Sequence, residues 1–134
     1  MSVTSLARAK QQYLEQQVGS ASPAQLLTML YDRLLVDIDR AAAAQDAGDA
    51  ASAGPHLTHA QTIVAELNGS LTDAWDGATE LRSIYTYLTS RLIAANIGRD
   101  RAATAECHDI VAPLREAWHQ AARSTASVPT GALA

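Results

Sequence analysis

A helix start followed by two adjacent apolar rows constrains the fold of this chain most strongly. Ser22 can accept a hydrogen bond from the first helical turn, Pro23 suits the first helical position, and Gln25 completes the spacing of a capping box. Apolar residues then repeat every four positions in two neighbouring rows: Leu26, Leu30, Leu34 and Ile38 in the first, and Leu27, Tyr31 and Leu35 in the second. Because a single packing seam needs only one such stripe, we predict a long helix that packs on two surfaces.

The same helical periodicity recurs three more times along the chain. Together the patterns predict four helices: Pro23 to about Ala47, Pro55 to Leu71, Ala78 to Ile97, and Arg101 to about Arg123. The start of the second helix stays open, because Gly54-Pro55 could delay a helix that otherwise begins just after Asp49. The last three helices have their own apolar seams: Leu57, Ala60, Val64, Leu67 and Leu71; then Leu81, Ile84, Tyr85, Leu88, Leu92 and Ala95; then Cys107, Ile110, Val111, Leu114, Trp118 and Ala121.

Four amphipathic helices with short connections predict an all-α, antiparallel four-helix up-and-down bundle. We place this bundle at residues 20–123. Residues 1–19 carry a weak helical pattern that is marginal by itself and predicts a short N-terminal helical cap with a hinge. Residues 124–134 are small and polar and predict a disordered tail.

Charge and length exclude several classes of protein. The 134 residues suit one domain, and a net charge of -4 gives no overall attraction for nucleic acid or acidic membranes. No apolar run is long enough to span a bilayer, and the N-terminus lacks the pattern of a secretory signal. We therefore expect a cytoplasmic protein that neither binds nucleic acid nor inserts into a membrane.

The possible catalytic and metal-binding patterns are weak. His56 and His59, and Glu116 with His119, have ligand-like spacings, but their positions lie off the predicted inward faces. Cys107 is predicted to be a core residue rather than a nucleophile. We thus expect solvated histidines, no enzyme activity, no metal and no cofactor. Four aspartates are expected on a solvated polar face: Asp37, Asp39, Asp46 and Asp49.

Several short motifs occur in a specific order and spacing. They are Tyr13, Ala21-Ser22-Pro23, Leu26-Leu27-Thr28-Met29-Leu30-Tyr31-Asp32, Gly48-Asp49, His59-Ala60-Gln61-Thr62-Ile63-Val64-Ala65-Glu66-Leu67, Ile84-Tyr85-Thr86-Tyr87-Leu88, Arg91-Leu92-Ile93-Ala94-Ala95-Asn96 and Glu116-Ala117-Trp118. With these motifs the chain resembles the FliS family of flagellin export chaperones from about Tyr13 to Trp118. It departs from the family pattern at Arg33, Pro55 and Pro113, which concerns the local groove shape rather than the fold.

The resemblance implies a four-helix bundle without a catalytic site that binds the C-terminal segment of flagellin in the cytoplasm. Such a chaperone prevents premature polymerisation, and when loaded with flagellin it engages the flagellar export gate. The resemblance also implies that the N-terminal segment covers part of the binding surface until flagellin displaces it. Leu6, Tyr13 and Leu14 are the predicted contacts of this cap.

The surplus apolar width of the first and third helices predicts where the flagellin-binding groove lies. We expect it to contain Leu27, Tyr31, Leu35, Tyr87, Ile93, Asn96 and Ile97, while the row that begins at Leu26 belongs to the core. Two alternatives stay open: a helical-bundle metalloprotein, and a structural homodimer whose interface is the apolar strip. The expected oligomeric state is a monomer or a weak homodimer.

Overall fold

The computed structural model describes residues 23–73 and 76–127, which form four helices. These are α1 (Pro23–Asp46), α2 (Ala50–Ser70), α3 (Ala78–Ile97) and α4 (Arg101–Ser127), and the described residues include no strand. The predicted cap with Leu6, Tyr13 and Leu14, the capping residue Ser22 and the last seven positions of the tail lie outside this part of the chain.

The helices pack in a ring. α1 packs against α2 and α4, and α3 packs against the same two helices from the other side. α1 and α3 are therefore diagonal neighbours, and short connections make successive helices antiparallel. The predicted all-α four-helix bundle is confirmed.

Local capping signals fix the turn between α1 and α2. Gly48 has a φ of 73°, a left-handed conformation that favours glycine after a helix end. The carboxylate of Asp49 accepts a hydrogen bond from the backbone N–H of Ser52 at 3.0 Å, so α2 begins at Ala50. The open boundary is thereby settled, and Pro55 lies inside the helix. Ala53, two residues before Pro55, is buried in the core.

α4 extends further than the sequence pattern predicts. It runs through Ser127 instead of ending near Arg123, so the first residues of the predicted tail are helical. The intervening sequence contains no glycine or proline, and the first strong breaker is Pro129.

The core confirms most of the predicted seams. It is formed by the following buried apolar residues: Tyr31, Leu34, Ile38, Ala41, Ala53, Leu57, Ala60, Ile63, Val64, Leu67, Leu71, Leu81, Tyr85, Leu88, Leu92, Ala95, Ala103, Cys107 and Val111. Ile84, Ile110, Leu114 and Trp118 are partly buried against them. Ala121 is exposed, contrary to prediction. Glu106 of α4 contacts Tyr87 and Arg91 of α3, and the two helices run antiparallel. Ala121, fifteen residues after Glu106, therefore lies past the point where α3 begins, and α3 does not cover it.

The predicted division of the two α1 rows is wrong. Tyr31, which we assigned to the groove, is completely buried, whereas Leu26 and Leu30 of the predicted core row are only partly buried. The hydroxyl groups of Tyr31 and Tyr85 form a hydrogen bond of 2.6 Å across the diagonal of the bundle. This bond satisfies both hydroxyls inside the core, and the Trp118 ring lies 6.2 Å from the Tyr31 ring.

Candidate binding surface on the third helix

The outer face of α3 exposes apolar side chains near its C-terminal end. Ile93 is 40% exposed and Ile97 is 80% exposed, one helical turn apart. The opposite face of α3 is fixed in the core by Leu88 and Leu92, so the orientation of this outer face is determined by packing. Isolated apolar side chains are common on protein surfaces, but Ile93 also borders a groove.

The groove lies between α2 and α3 and has a volume of about 380 Å³. α2 contributes Val64, Ala65 and Asn68, and α3 contributes Tyr85, Thr86, Thr89, Ser90 and Ile93. Small side chains on both helices keep the groove open. A helix laid along it would find apolar contacts beside Val64 and Ile93 and hydroxyl or amide groups at its borders.

A shallower depression of about 690 Å³ continues the surface toward the N-terminal end of α3. Arg82 organises this end: its guanidinium donates hydrogen bonds to the Asp73 carboxylate at 2.8 Å and to the Leu71 carbonyl at 3.4 Å. These bonds tie the connection after α2 to α3. The depression has a polar border here, and it shares Thr86 and Ser90 with the groove.

Tyr87 also lines this depression, and its hydroxyl reaches toward α4. Its hydroxyl donates a hydrogen bond to the Glu106 carboxylate, which also accepts one from Arg91 Nε at 2.8 Å. The bond to Glu106 is the main cause that raises the pKa of the Tyr87 phenol, and the same bond lowers the pKa of Glu106. Tyr87 is therefore a neutral donor whose hydroxyl is already engaged, while 47% of the residue is exposed.

The predicted groove residues do not form one site. Ile93 and Ile97 lie on the outer face of α3, and Asn96 is half-buried beside Gly54 of α2. The three α1 residues, Leu27, Tyr31 and Leu35, lie on the helix diagonal to α3.

Leu27 lines a separate opening at the far end of the bundle. This opening has a volume of about 160 Å³ and also includes Leu71, Leu81 and Trp118. Leu35 is partly buried against the core. Neither side chain shares the groove that Ile93 borders.

Sequence reasoning missed the residues that α2 contributes to the groove. Val64 was correctly predicted as a seam residue, but its contact with the groove was not anticipated. The sequence did contain a signal for this groove. Ala65 follows Val64, and Asn68 lies one turn further along α2. A small side chain and an amide beside an apolar seam leave space for a groove at the edge of the helix.

The histidines are engaged with aspartates rather than simply solvated. His59 Nδ1 forms a hydrogen bond with Asp37 Oδ2 across the α1–α2 interface. His119 Nε2 lies 2.6 Å from Asp32 Oδ1, and His108 Nδ1 lies 2.9 Å from Asp39 Oδ1. These pairs were not predicted, because a helical wheel of one helix does not show which carboxylates the neighbouring helix brings close, and the His59 side chain is still 47% exposed.

Asp37 was expected on a solvated face but is completely buried. Its position on the α2-facing flank of α1 places it beneath His56 and His59. Among residues 23–73 and 76–127, no group of three or more His, Cys, Asp or Glu side chains is placed to hold a metal ion. Burial raises the pKa of the Cys107 thiol to about 12, and the nearby Glu106 acts in the same direction. The Cys107 thiol is thus un-ionised at neutral pH, as expected for a core residue rather than a nucleophile.

Within the described residues, no helix combines the length and apolar character that crossing a membrane requires. The model of the family described as "Flagellar protein FliS" matches residues 6–125.

Three curated relatives carry the name flagellar secretion chaperone FliS. The one from Bacillus subtilis is 35% identical over 112 residues, which cover 84% of each chain. The relative from Salmonella typhimurium is 34% identical over 80% of this chain and 82% of its own, and that from Escherichia coli is 32% identical over 80% and 81%. The chain therefore belongs to the FliS family of flagellar proteins.

Proposed function

We propose that this protein is a cytoplasmic export chaperone that binds the C-terminal helical segment of flagellin. By covering that segment it prevents premature polymerisation, and the loaded complex engages the flagellar export gate of the type III apparatus. The observation that carries this proposal is the exposed Ile93–Ile97 pair beside the α2–α3 groove, in a chain whose relatives are named secretion chaperones.

The groove can hold an amphipathic segment through non-covalent contacts alone. Burying a large aliphatic side chain contributes roughly 1.5–3 kcal/mol, so Ile93 and Ile97 can anchor a client helix. Thr86, Thr89 and Ser90 supply hydrogen-bonding groups at the border, which favour orientation more than affinity. Because the Tyr87 hydroxyl is engaged with Glu106, we assign its ring, rather than its hydroxyl, to client contact.

Mixing the protein with full-length and C-terminally truncated flagellin tests the proposal. We expect a complex with the full-length form only, measured by size-exclusion chromatography and calorimetry. Equal binding of both forms would overturn the assignment of the C-terminal segment.

Variants locate the binding surface. Ile93→Asp and Ile97→Asp each place a charge where an apolar contact is proposed, and we expect a loss of affinity of at least roughly tenfold. Val36→Asp is the matched control, because Val36 is also a β-branched, 39%-exposed side chain but lies on α1. Equal losses in all three variants would argue against a site on α3.

We further propose that the N-terminal segment occupies the client surface when no client is present. Leu6, Tyr13 and Leu14 are the proposed contacts, and the covalent tether gives them a high effective concentration. Deleting residues 1–17 should tighten the binding of a flagellin C-terminal peptide or speed its association. Unchanged affinity together with an unchanged association rate would contradict this autoinhibition.

The two alternative functions predict different measurements. A metalloprotein would contain stoichiometric iron or zinc when purified without a tag, and a structural dimer would keep its mass in light scattering when flagellin is added. We expect neither result. We expect instead a monomer or weak homodimer that forms a complex with flagellin.

A further inference from the structure

α1 carries a second exposed surface on the side of the bundle away from α3. Met29 is 55% exposed and Val36 is 39% exposed. They are seven residues apart, or about two helical turns, so they share one face. Tyr31, Leu34 and Ile38 of the same helix are completely buried on the opposite side. The outer face is therefore apolar without being part of the core.

Two arginines alternate with these apolar residues. Arg33 and Arg40 follow Met29 and Val36 at intervals of four, which continues the same outward stripe. The Arg33 side chain is 49% exposed and lies 3.4 Å from the buried Asp37 carboxylate. Arg40 is exposed and has no ion pair with any residue in the described part of the chain.

The aspartates on the neighbouring flank of α1 pair with side chains of α4. Asp32 accepts a hydrogen bond from Arg115 Nε at 2.6 Å, and Asp46 accepts one from Arg101 Nε at 2.8 Å. Asp39 is paired with His108. Arg33 is paired with Asp37, so Arg40 is the free positive charge of this face among the described residues, although the chain as a whole has a net charge of -4.

We propose that this outer face of α1, defined by Met29, Arg33, Val36 and Arg40, docks an amphipathic helix whose apolar stripe is bordered by Asp or Glu side chains. Apolar contacts would cover Met29 and Val36, and the carboxylates would pair with the two arginines.

The proposed surface leaves the client groove accessible. α1 and α3 are diagonal in the ring of helices, so their outer faces point to opposite sides of the bundle. Both surfaces can then be occupied at once, which allows a ternary complex. This inference goes beyond the proposed function and does not depend on it.

A synthetic peptide tests the chemistry of the surface. The probe is a 21-residue amphipathic helix with Leu along one face and Glu beside it, and the control peptide has Lys in place of Glu. With the isotope-labelled full chain, we expect the Glu peptide to shift NMR signals of Met29, Val36 and Arg40. We also expect it to bind roughly tenfold more tightly than the Lys peptide.

Charge reversal identifies the arginine that matters. Arg40→Glu should weaken binding of the Glu peptide roughly fivefold. Arg99→Glu is the matched control, because Arg99 is likewise exposed and without an ion pair in the described residues but lies after α3. Equal effects of the two substitutions would show that the peptide responds only to the net charge of the protein, and this result would overturn the proposed site.

Other occupants give distinct results that would also overturn the proposal. Shifts at Met29 and Val36 on deletion of residues 1–17 would identify the N-terminal segment as the occupant, and shifts that depend on protein concentration would identify a second copy. Peptide shifts confined to Ile93 and Ile97 would place binding on α3.

A saturating flagellin C-terminal peptide should leave the affinity of the Glu peptide within about twofold, and competition between the two peptides would refute independent surfaces. Failure of flagellin to bind would overturn the proposed function alone.

Discussion

Asp37 is a buried carboxylate whose partners all reach solvent. Its side chain is completely buried, whereas the side chains of Arg33, His56 and His59 are 49%, 32% and 47% exposed. Asp37 Oδ1 has no hydrogen-bond partner, so the bond from His59 to Oδ2 is its main direct compensation for lost hydration. The stability of this contact should therefore depend on His59 more than on the surrounding charges.

The free energy of unfolding tests this dependence. His59→Ala should lower it by about 1–3 kcal/mol, because a buried carboxylate loses its hydrogen bond. The same substitution should cost much less in an Asp37→Asn background, where no charge is buried. His108→Ala is the control, since the His108–Asp39 pair is exposed, and we expect less than about 0.5 kcal/mol. Equal urea-unfolding losses for His59→Ala in both backgrounds would contradict the coupling.

The seams were predictable residue by residue, but Asp37 was not. Leu57, Ala60 and Leu67 are buried as their spacing indicates, because a helical period reports the inward face directly. Asp37 lies on a flank, where burial depends on what the adjacent helix places above it. Asp37 is covered because α2 brings His56 and His59 to this flank.

Helix limits were predicted best where both ends carry a local signal. α3 begins and ends where the sequence indicates, with Gly77 and Gly98 as its capping residues. The end of α4 was placed too early because residues 124–127 contain neither a stop nor an apolar pattern. Capping chemistry is thus readable from sequence, whereas helix in a stretch without a stop signal or an apolar pattern is not.

Two glycines provide an element-level test with opposite signs. Gly48→Ala should destabilise the protein by about 1 kcal/mol, because a side chain is strained at a φ of 73°. Gly69 lies in the last turn of α2, and a Cβ there would meet no atom within 4 Å. Gly69→Ala should therefore stabilise the protein by about 0.5 kcal/mol. Thermal unfolding of both variants is the measurement, and shifts of the same sign would refute this account.

The contact between α1 and α4 predicts how stability depends on pH. Burial alone would raise the pKa of Asp32, but hydrogen bonds and positive charge from His119 and Arg115 outweigh it and leave the pKa of Asp32 below its usual value. A carboxyl group with a lowered folded-state pKa contributes stability above its unfolded-state pKa, and that stability is lost on acidification. Stability should thus fall from about pH 5 downward.

Asp32→Asn isolates this contribution. The variant should be less stable than the natural chain at pH 7 and should show a shallower loss between about pH 5 and pH 3. Asp39→Asn is the comparison, because Asp39 pairs with His108 at the surface of the same two helices and has no arginine partner among the described residues. Parallel stability curves for the Asp32 variant and the natural chain would contradict the role of Asp32.

At the scale of the whole molecule, the ring order of the helices decided which site predictions could succeed. Ile93 and Ile97 were found as exposed because excess apolar width is visible in the α3 sequence. Their grouping with Leu27 and Leu35 did not hold, because periodicity does not reveal that α1 and α3 are diagonal. Tyr31 was misplaced for the related reason that its partner, Tyr85, lies across the core.

Client binding should be visible as a change in global stability, because the bundle forms around one core. A ligand that binds only the folded state at about 100 times its Kd adds about 2.7 kcal/mol, which corresponds to a rise in Tm of roughly 10 °C for a domain of this size. We expect a flagellin C-terminal peptide to produce such a shift in the natural chain and in Val36→Asp. Ile97→Asp should keep the unliganded Tm, since Ile97 is 80% exposed, yet lose most of the shift. A full shift in Ile97→Asp together with its loss in Val36→Asp would move the client from α3 to α1 and exchange the roles assigned to the two faces.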